Sequence, residues 1–375
     1  MNEQRRPNSD ETAPRHNRDR DPGTLDPETA VEMWIDDKSV EWKPKTERDY
    51  RKNMRRWLRW CHDEGVEQVG ELDGWDIRLF KRSRASDTNR DGEEIAPSTL
   101  RSSMMTLKQL VKWLVSVDAA PPRLHDQAGE AVPTVSGEDA TDDTMLALDR
   151  ARAAIRFYRD SLAHRATVNH AMLEVFLHVG CRVSGLRALD LGDYDPATRT
   201  LEFVNRPDTD TRLKNGQTSE RMVYVSAEVA AVLDEFIARE RWDKPDEYGR
   251  DPLFALSQGR PTTGTLASRT YLATQPCVYD ACPHGEHPDE CQYRKRDHAT
   301  KCPSSRSPHP LRTTSITWHA NRGVPMEKTS KRVDATLKTI KKYYDKPTRE
   351  QELARREDDT ADLDFADDLE EESDP

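Results

Sequence analysis

Residues 303 to 346 read PSSRSPHPLRTTSITWHANRGVPMEKTSKRVDATLKTIKKYYDK, and this stretch decides the fold. His309 and Arg312 stand three apart at the start of a helical pattern, and two tyrosines, Tyr343 and Tyr344, follow about thirty residues later. A helix places residues three apart on one face, so an imidazole and a guanidinium converge on one spot. That pairing suits a phosphate. The same spacing also occurs on ordinary solvated helix faces, so its meaning depends on what the rest of the chain supplies.

Working outward, the acidity of the chain is local. The 375 residues carry a formal net charge of -11, and the eleven acidic residues between Glu357 and Pro375 equal that whole excess. The remaining body is balanced and free to present basic faces, which decide phosphate binding more than whole-chain charge does. Residues 351–375 read as an acidic, solvating tail and 1–24 as a polar one. Charged residues make up 34% of the sequence and mean hydropathy is -0.94. No apolar run reaches membrane-spanning length and the N-terminus lacks a signal-peptide core, so the expectation is a cytoplasmic protein without membrane association.

Between 25 and 117 four amphipathic helices are predicted. Asp26 and Pro27 give a strong N-terminal signal for the first. The second, from Thr46, buries Tyr50, Met54, Trp57, Leu58 and Cys61 and turns Arg48, Arg51, Lys52, Arg55, Arg56 and Arg59 outward, behind Lys43 and Lys45. A third covers Trp75 to Arg84, with Lys81, Arg82 and Arg84 at its end, and a fourth is capped by Ser98 and exposes Arg101, Lys108 and Lys112. An all-α domain with basic outer faces fits equally a clamp on the DNA backbone and an ordinary helical bundle whose Arg and Lys keep it in solution. Residues 118–143, with Pro121, Pro122 and Pro133, read as a linker.

The remainder, 144–350, forms a second domain. A helix to Leu162 precedes a strongly apolar helix, Thr167 to Val179, stopped by Gly180. Arg182 follows in GCRVSGLRALDLGDYD; a guanidinium at the end of a buried helix needs an anionic partner, internal or external. Strands are predicted at Thr200–Asn205 and Arg221–Val225, joined by a turn region presenting Lys214 beside Asn215 and Gly216. Ser226 caps a further helix. The insertion 276–303 contributes Cys277, Cys282, Cys291 and Cys302 with His284 and His287 between. Their spacing admits a structural zinc but lacks tight CxxC pairs, so zinc and reduced thiols both stand.

Arg182, Lys214, His309, Arg312 and a tyrosine near 344, in this order, resemble the tyrosine recombinase (phage integrase) family, most closely its archaeal halophile branch. GCRVSGL resembles the family's G-x-R-x-S-E-L box with Gly185 in place of Glu, and HPLR resembles its H-x-x-R box. The resemblance covers about 25 to 350. It implies a mainly α fold with a small β-sheet (α+β), an all-α core-binding domain ahead of a catalytic domain, and site-specific DNA recombination or integration through a 3′-phosphotyrosine. The catalytic residues would be Arg182, Lys214, His309, Arg312 and Tyr344, with Tyr343 the alternative nucleophile. It further implies double-stranded DNA as partner, self-association into a tetrameric synapse on DNA, and no cofactor for catalysis. The family's second His or Trp, about nine residues before the tyrosine, has no match: Lys331, Arg332 or Asp334 lies nearby, and His319 is a donor out of register. That absence supports a rival reading, a recombinase-like DNA-binding protein impaired in catalysis; a type IB-like topoisomerase is a second rival, and a zinc-stabilised structural or interaction module without a DNA role, which leaves the basic helices and the residue order unexplained, is the third.

Overall fold

The computed structural model describes residues 21–42, 44–88, 92–135, 145–343, 347 and 349–360. The chain divides into two compact units, 1–142 and 143–375.

The first unit is all-α. Helices α1 (Pro27–Ser39), α2 (Pro44–Glu64), α3 (Gly74–Ala85), α4 (Pro97–Ser116) and α5 (Arg123–Ala131) pack mainly around α4, whose Met104, Leu107, Leu110, Val111 and Leu114 are buried. The Asp26 carboxylate accepts from the Thr29 amide at 2.9 Å and Pro27 is buried, so α1 begins where its capping signal sits. Trp34 stacks on Tyr50 with ring centroids 5.5 Å apart, locking α1 to α2. Arg48, Lys52, Arg55 and Arg59 of α2 are exposed at spacings of four, three and four, which makes one basic stripe.

Three expectations change here. Residues 123–131 are a helix rather than linker, because Leu124, Ala128 and Ala131 repeat on one face and enter the core, with Pro121 and Pro122 just ahead of its first turn. The fourth helix starts at Pro97, not behind Ser98, and has no side-chain cap. Arg84 is not on the outer face: it is 3% exposed, and its guanidinium donates to Asp87 at 2.7 Å and to Ser103 at 3.2 Å.

The second unit is built on α7 (Val168–Val179), against which α6 (Leu148–Asp160), α9 (Ala227–Arg239), α10 (Thr263–Ala273) and α11 (Pro308–Asn321) all pack. Most of its apolar residues are buried, Val168 and Leu177 only partly, as its sequence requires when neighbours cover most of its surface. His170 and Glu174 are its buried polar residues. Arg159 donates to Glu174 at 2.6 and 3.0 Å and His170 Nε2 lies 3.2 Å away; these bonds outweigh the desolvation and hold the carboxyl below its ordinary range. The short α8 (Val183–Ala188) follows, then a three-stranded antiparallel sheet in the order β1 (Tyr194–Asp195), β2 (Thr200–Phe203), β3 (Arg221–Tyr224), with Leu201 opposite Val223. The sequence predicts β2 and β3; the two-residue β1 is too short to leave a periodic signal.

Helices α12 (Met326–Val333) and α13 (Leu337–Tyr343) return to α11 through a small cluster of Ile316, Val333 and Ile340, all buried. Residues 349–360 form α14, so the expected tail is helical at its start; 361–375 lie outside the described residues, as do residues 1–20 of the expected N-terminal tail. Among the described residues no helix is long and apolar enough to cross a membrane.

Candidate active site

Gly180 ends α7 in the left-handed conformation, φ 67°, with its amide bonded to the Phe176 carbonyl. A side chain there would collide: a Cβ would meet Ser315 Oγ and Val333 Cγ1 at 2.9 Å. The sharp exit buries Cys181 and sets Arg182 as the extended residue before α8, with its side chain 23% exposed. Its guanidinium is paired with the carboxylate of Asp334, so the anionic partner that Arg182 requires is internal in this structure.

Arg312 lies one turn into α11 and is 1% exposed. Its Nη1 donates to the Gly180 carbonyl at 2.7 Å and to the Val333 carbonyl, and its Nη2 donates to the Asp334 carbonyl at 3.2 Å. Those oxygens lie at the C-terminal ends of α7 and α12, where carbonyls lack intrahelical partners and the helix dipole is negative. A buried guanidinium answers both needs and joins the two helix ends. His309, three residues earlier on the same face, is exposed on the first turn of α11.

The turn that carries Lys214 is anchored on both sides. Leu213 is buried and its amide donates to Asn205 Oδ1 at 2.9 Å; Ser219 Oγ donates to Asp334 Oδ2 at 2.8 Å, and Asn215 Nδ2 lies 3.5 Å from Asp334 Oδ1. Lys214 itself is exposed beside this anchor. Behind it, Asp190 binds Arg250 at 2.5 Å and also Arg260, while Arg250 donates to Thr211 at 2.7 Å, fixing the excursion 206–219 against the end of α8. Arg182, Arg312 and the Lys214 turn are thus drawn together, though they are far apart in sequence.

Tyr343 is the last residue of α13, which Ile340 secures, and Tyr344 lies outside the described residues.

His319, the out-of-register donor, belongs to another cluster. It is buried, its Nδ1 donates to the Ser315 carbonyl at 2.7 Å, and its ring lies 4.8 Å from that of Trp318. Burial pushes its pKa down to about 4. His178, on α7 nearby, is also pushed to about 4, first by burial and then by the Arg332 charge; its Nε2 accepts from the Ser226 amide at 3.2 Å, which requires the neutral ring. These groups line a separate open cavity of about 380 Å³ with Tyr224, Arg322 and Lys328.

The cysteine quartet does not assemble. Among the described residues there is no group of three or more His, Cys, Asp or Glu that could hold a metal, and this covers Cys277, Cys282, Cys291 and Cys302. All four are unpaired thiols; Cys277 accepts from Arg294 at 3.8 Å and His284 is 3.0 Å from Ser304. The segment carries three short 3-10 turns: Arg296–Lys301 packs on α10, Gln292–Arg294 packs on Arg296–Lys301, and Pro276–Val278 packs on α6.

Reasoning from sequence missed the roles of Asp334, Ser219 and Asn215. Asp334 was discernible as one acidic residue near the position where a second donor was expected. Its partnership with Arg182, 152 residues away, was not.

No protein-family model and no curated protein matches the chain. Solved structures do. The Tn1549 transposon integrase in complex with a circular intermediate DNA is similar over 88% of this chain and 99% of that one, with a TM-score of 0.62 and 14% identity. A lambda integrase dimer bound to a COC′ core site is similar over 92% of this chain and 80% of that one, with a TM-score of 0.55 and 12% identity. At such identities the likeness concerns the fold, and the mainly α architecture with its small sheet is that of these tyrosine recombinases.

Proposed function

We propose that this chain, with the fold of DNA-bound integrases, is a tyrosine site-specific recombinase of the halophile integrase type, cleaving and rejoining double-stranded DNA. The observation that carries the reading is the meeting of Arg182, Arg312 and the Lys214 turn around Asp334. In this scheme the hydroxyl of Tyr344, or of its neighbour Tyr343, attacks the scissile phosphorus. A bond forms from the tyrosine oxygen to phosphorus and the bond to the 5′ oxygen breaks, leaving a 3′-phosphotyrosine. Charge builds on the equatorial phosphate oxygens, which the guanidiniums of Arg182 and Arg312 would stabilise, Arg182 through the edge that Asp334 leaves open and Arg312, held by the Gly180, Val333 and Asp334 carbonyls, through its positive charge. His309 takes the tyrosine proton and Lys214 gives one to the departing 5′ oxygen. The phosphotyrosine keeps the energy of the broken bond for rejoining, and no step passes through a metal or nucleotide cofactor. The basic stripe of α2 would hold the DNA backbone, and strand exchange between two duplexes would assemble four protomers on DNA, in the cytoplasm.

The full chain is to be incubated with a pool of nicked duplexes of randomised core, and SDS-resistant protein–DNA adducts isolated and sequenced. The expected result is an adduct on a restricted set of sequences, retained by Tyr343→Phe and lost in Tyr344→Phe. Salt-sensitive binding without any adduct would instead identify a DNA-binding protein that does not cleave. Relaxation of supercoiled plasmid without sequence preference would identify a topoisomerase. Metal content of the folded protein tests structural zinc at Cys277, Cys282, Cys291 and Cys302, for which the geometry offers no support.

A further inference from the structure

We infer that Asp334 is the positioning residue of the phosphate site, a role that rests on the recombinase reading above. It caps α12 in the left-handed region, φ 57° and ψ 64°, a conformation that Asp and Asn tolerate better than most residues. From there one residue reaches three segments. Its Oδ2 accepts from Arg182 and, at 2.8 Å, from Ser219; its Oδ1 lies 3.5 Å from the Asn215 amide; its backbone carbonyl accepts from Arg312 at 3.2 Å.

The carboxylate engages Arg182 through Nη1. A guanidinium has five N–H donors, so its remaining edge can face a phosphate while the first is held. An untethered arginine samples many rotamers, and a displacement of about 1 Å at a reacting centre can lower a rate by about 10²-fold. Fixing Arg182 before DNA arrives removes that loss. The bonds to Ser219 and Asn215 set the neighbouring Lys214 at a constant distance from the same guanidinium. The usual second donor of a phosphate site would touch the phosphate directly, whereas an ionised carboxylate can only accept. Asp334 therefore acts on the arginine and on the turn.

This assignment has a kinetic signature that a purely structural role lacks. An anion close to the DNA phosphate opposes binding, so removing its charge leaves binding intact or tighter while cleavage slows. Asp334→Asn keeps size and backbone preference and removes the charge. With the adduct-forming sequences as nicked probe, single-turnover cleavage by Asp334→Asn is expected to fall about 10²-fold. Its Kd for the uncleaved duplex should stay within about threefold of wild type or tighten, at unchanged urea midpoint. Ser219→Ala, which removes one of the carboxylate's bonds, should show the same split to a smaller degree. Cleavage by Asp334→Asn at the wild-type rate overturns the assignment, as does faster cleavage, which would make Asp334 an obstruction. Loss of binding and folding in step with cleavage overturns it too. Absence of any adduct from the wild-type protein is a different result: it refutes the recombinase reading and takes this inference with it.

Discussion

Lowering the pH to about 5 should destabilise the second unit through two histidines, His319 buried and His178 half-buried. Burial holds His319 at about 4 against an ordinary 6.5, and His178 is displaced equally, with Arg332 and His319 adding to its burial. A histidine whose folded value lies below its unfolded one stabilises the fold fully above the unfolded value, and that contribution disappears as pH falls from 6.5 towards 4. At about pH 5 the unfolded ring is almost fully protonated and the folded ring hardly so, which costs about 2 kcal/mol for His319. His178 is only half-buried, so solvent screening reduces its share to about 1 kcal/mol. A structural reason stands behind the number. Protonating His178 puts a hydrogen on Nε2 against the Ser226 amide that now donates to it. Glu174 and Asp246 have lowered values and would be lost at still lower pH, so they do not blur this window. Urea unfolding at about pH 7.5 and about pH 5 measures the difference, expected near 3 kcal/mol. In His319→Gln, whose amide can still donate to the Ser315 carbonyl, about 2 kcal/mol of it should vanish. An unchanged pH dependence in His319→Gln and His178→Gln would refute the reasoning.

Other substitutions test the site and the basic stripe. Gly180→Ala adds a left-handed non-glycine residue, about 1 kcal/mol, and a clash with Ser315 and Val333, about 1–3 kcal/mol more, so its urea midpoint should drop accordingly. Arg182→Lys keeps a cation for Asp334 but loses the fork, and adduct formation should fall about 10²–10³-fold at wild-type stability, read by single-turnover trapping. Lys52→Ala with Arg55→Ala should leave stability within about 0.5 kcal/mol while reducing the slope of log Kd against log salt by about 2, measured by fluorescence anisotropy.

Local chemistry made much of this protein legible from its residues. The Asp26–Pro27 start, the Gly180 stop and the Ser226 cap act over one helical turn, and the structure places α1, α7 and α9 by them. Periodicity exposed α2 and its basic stripe, because a core face and a solvent face differ in composition along a single helix. The order Arg182, Lys214, His309, Arg312 was readable only through its resemblance to the tyrosine recombinase family, since each of the four has an ordinary structural reading by itself. Where local signals misled, tertiary contacts had overruled them. Pro121 and Pro122 look like linker residues until Leu124, Ala128 and Ala131 find the first unit's core. Arg84 looks solvated until Asp87 and Ser103 enclose it. The opening stretch shows the division most clearly. Its sequence fixes a helix with His309 and Arg312 on one face, since that depends on spacing alone. That Arg312 is buried against two helix ends, and that Asp334 of the same stretch grips Arg182, follows from closing a loop of 152 residues. Partners at such separation are chosen by the packing of α7, α11 and α12 together, which spacing along the chain does not record.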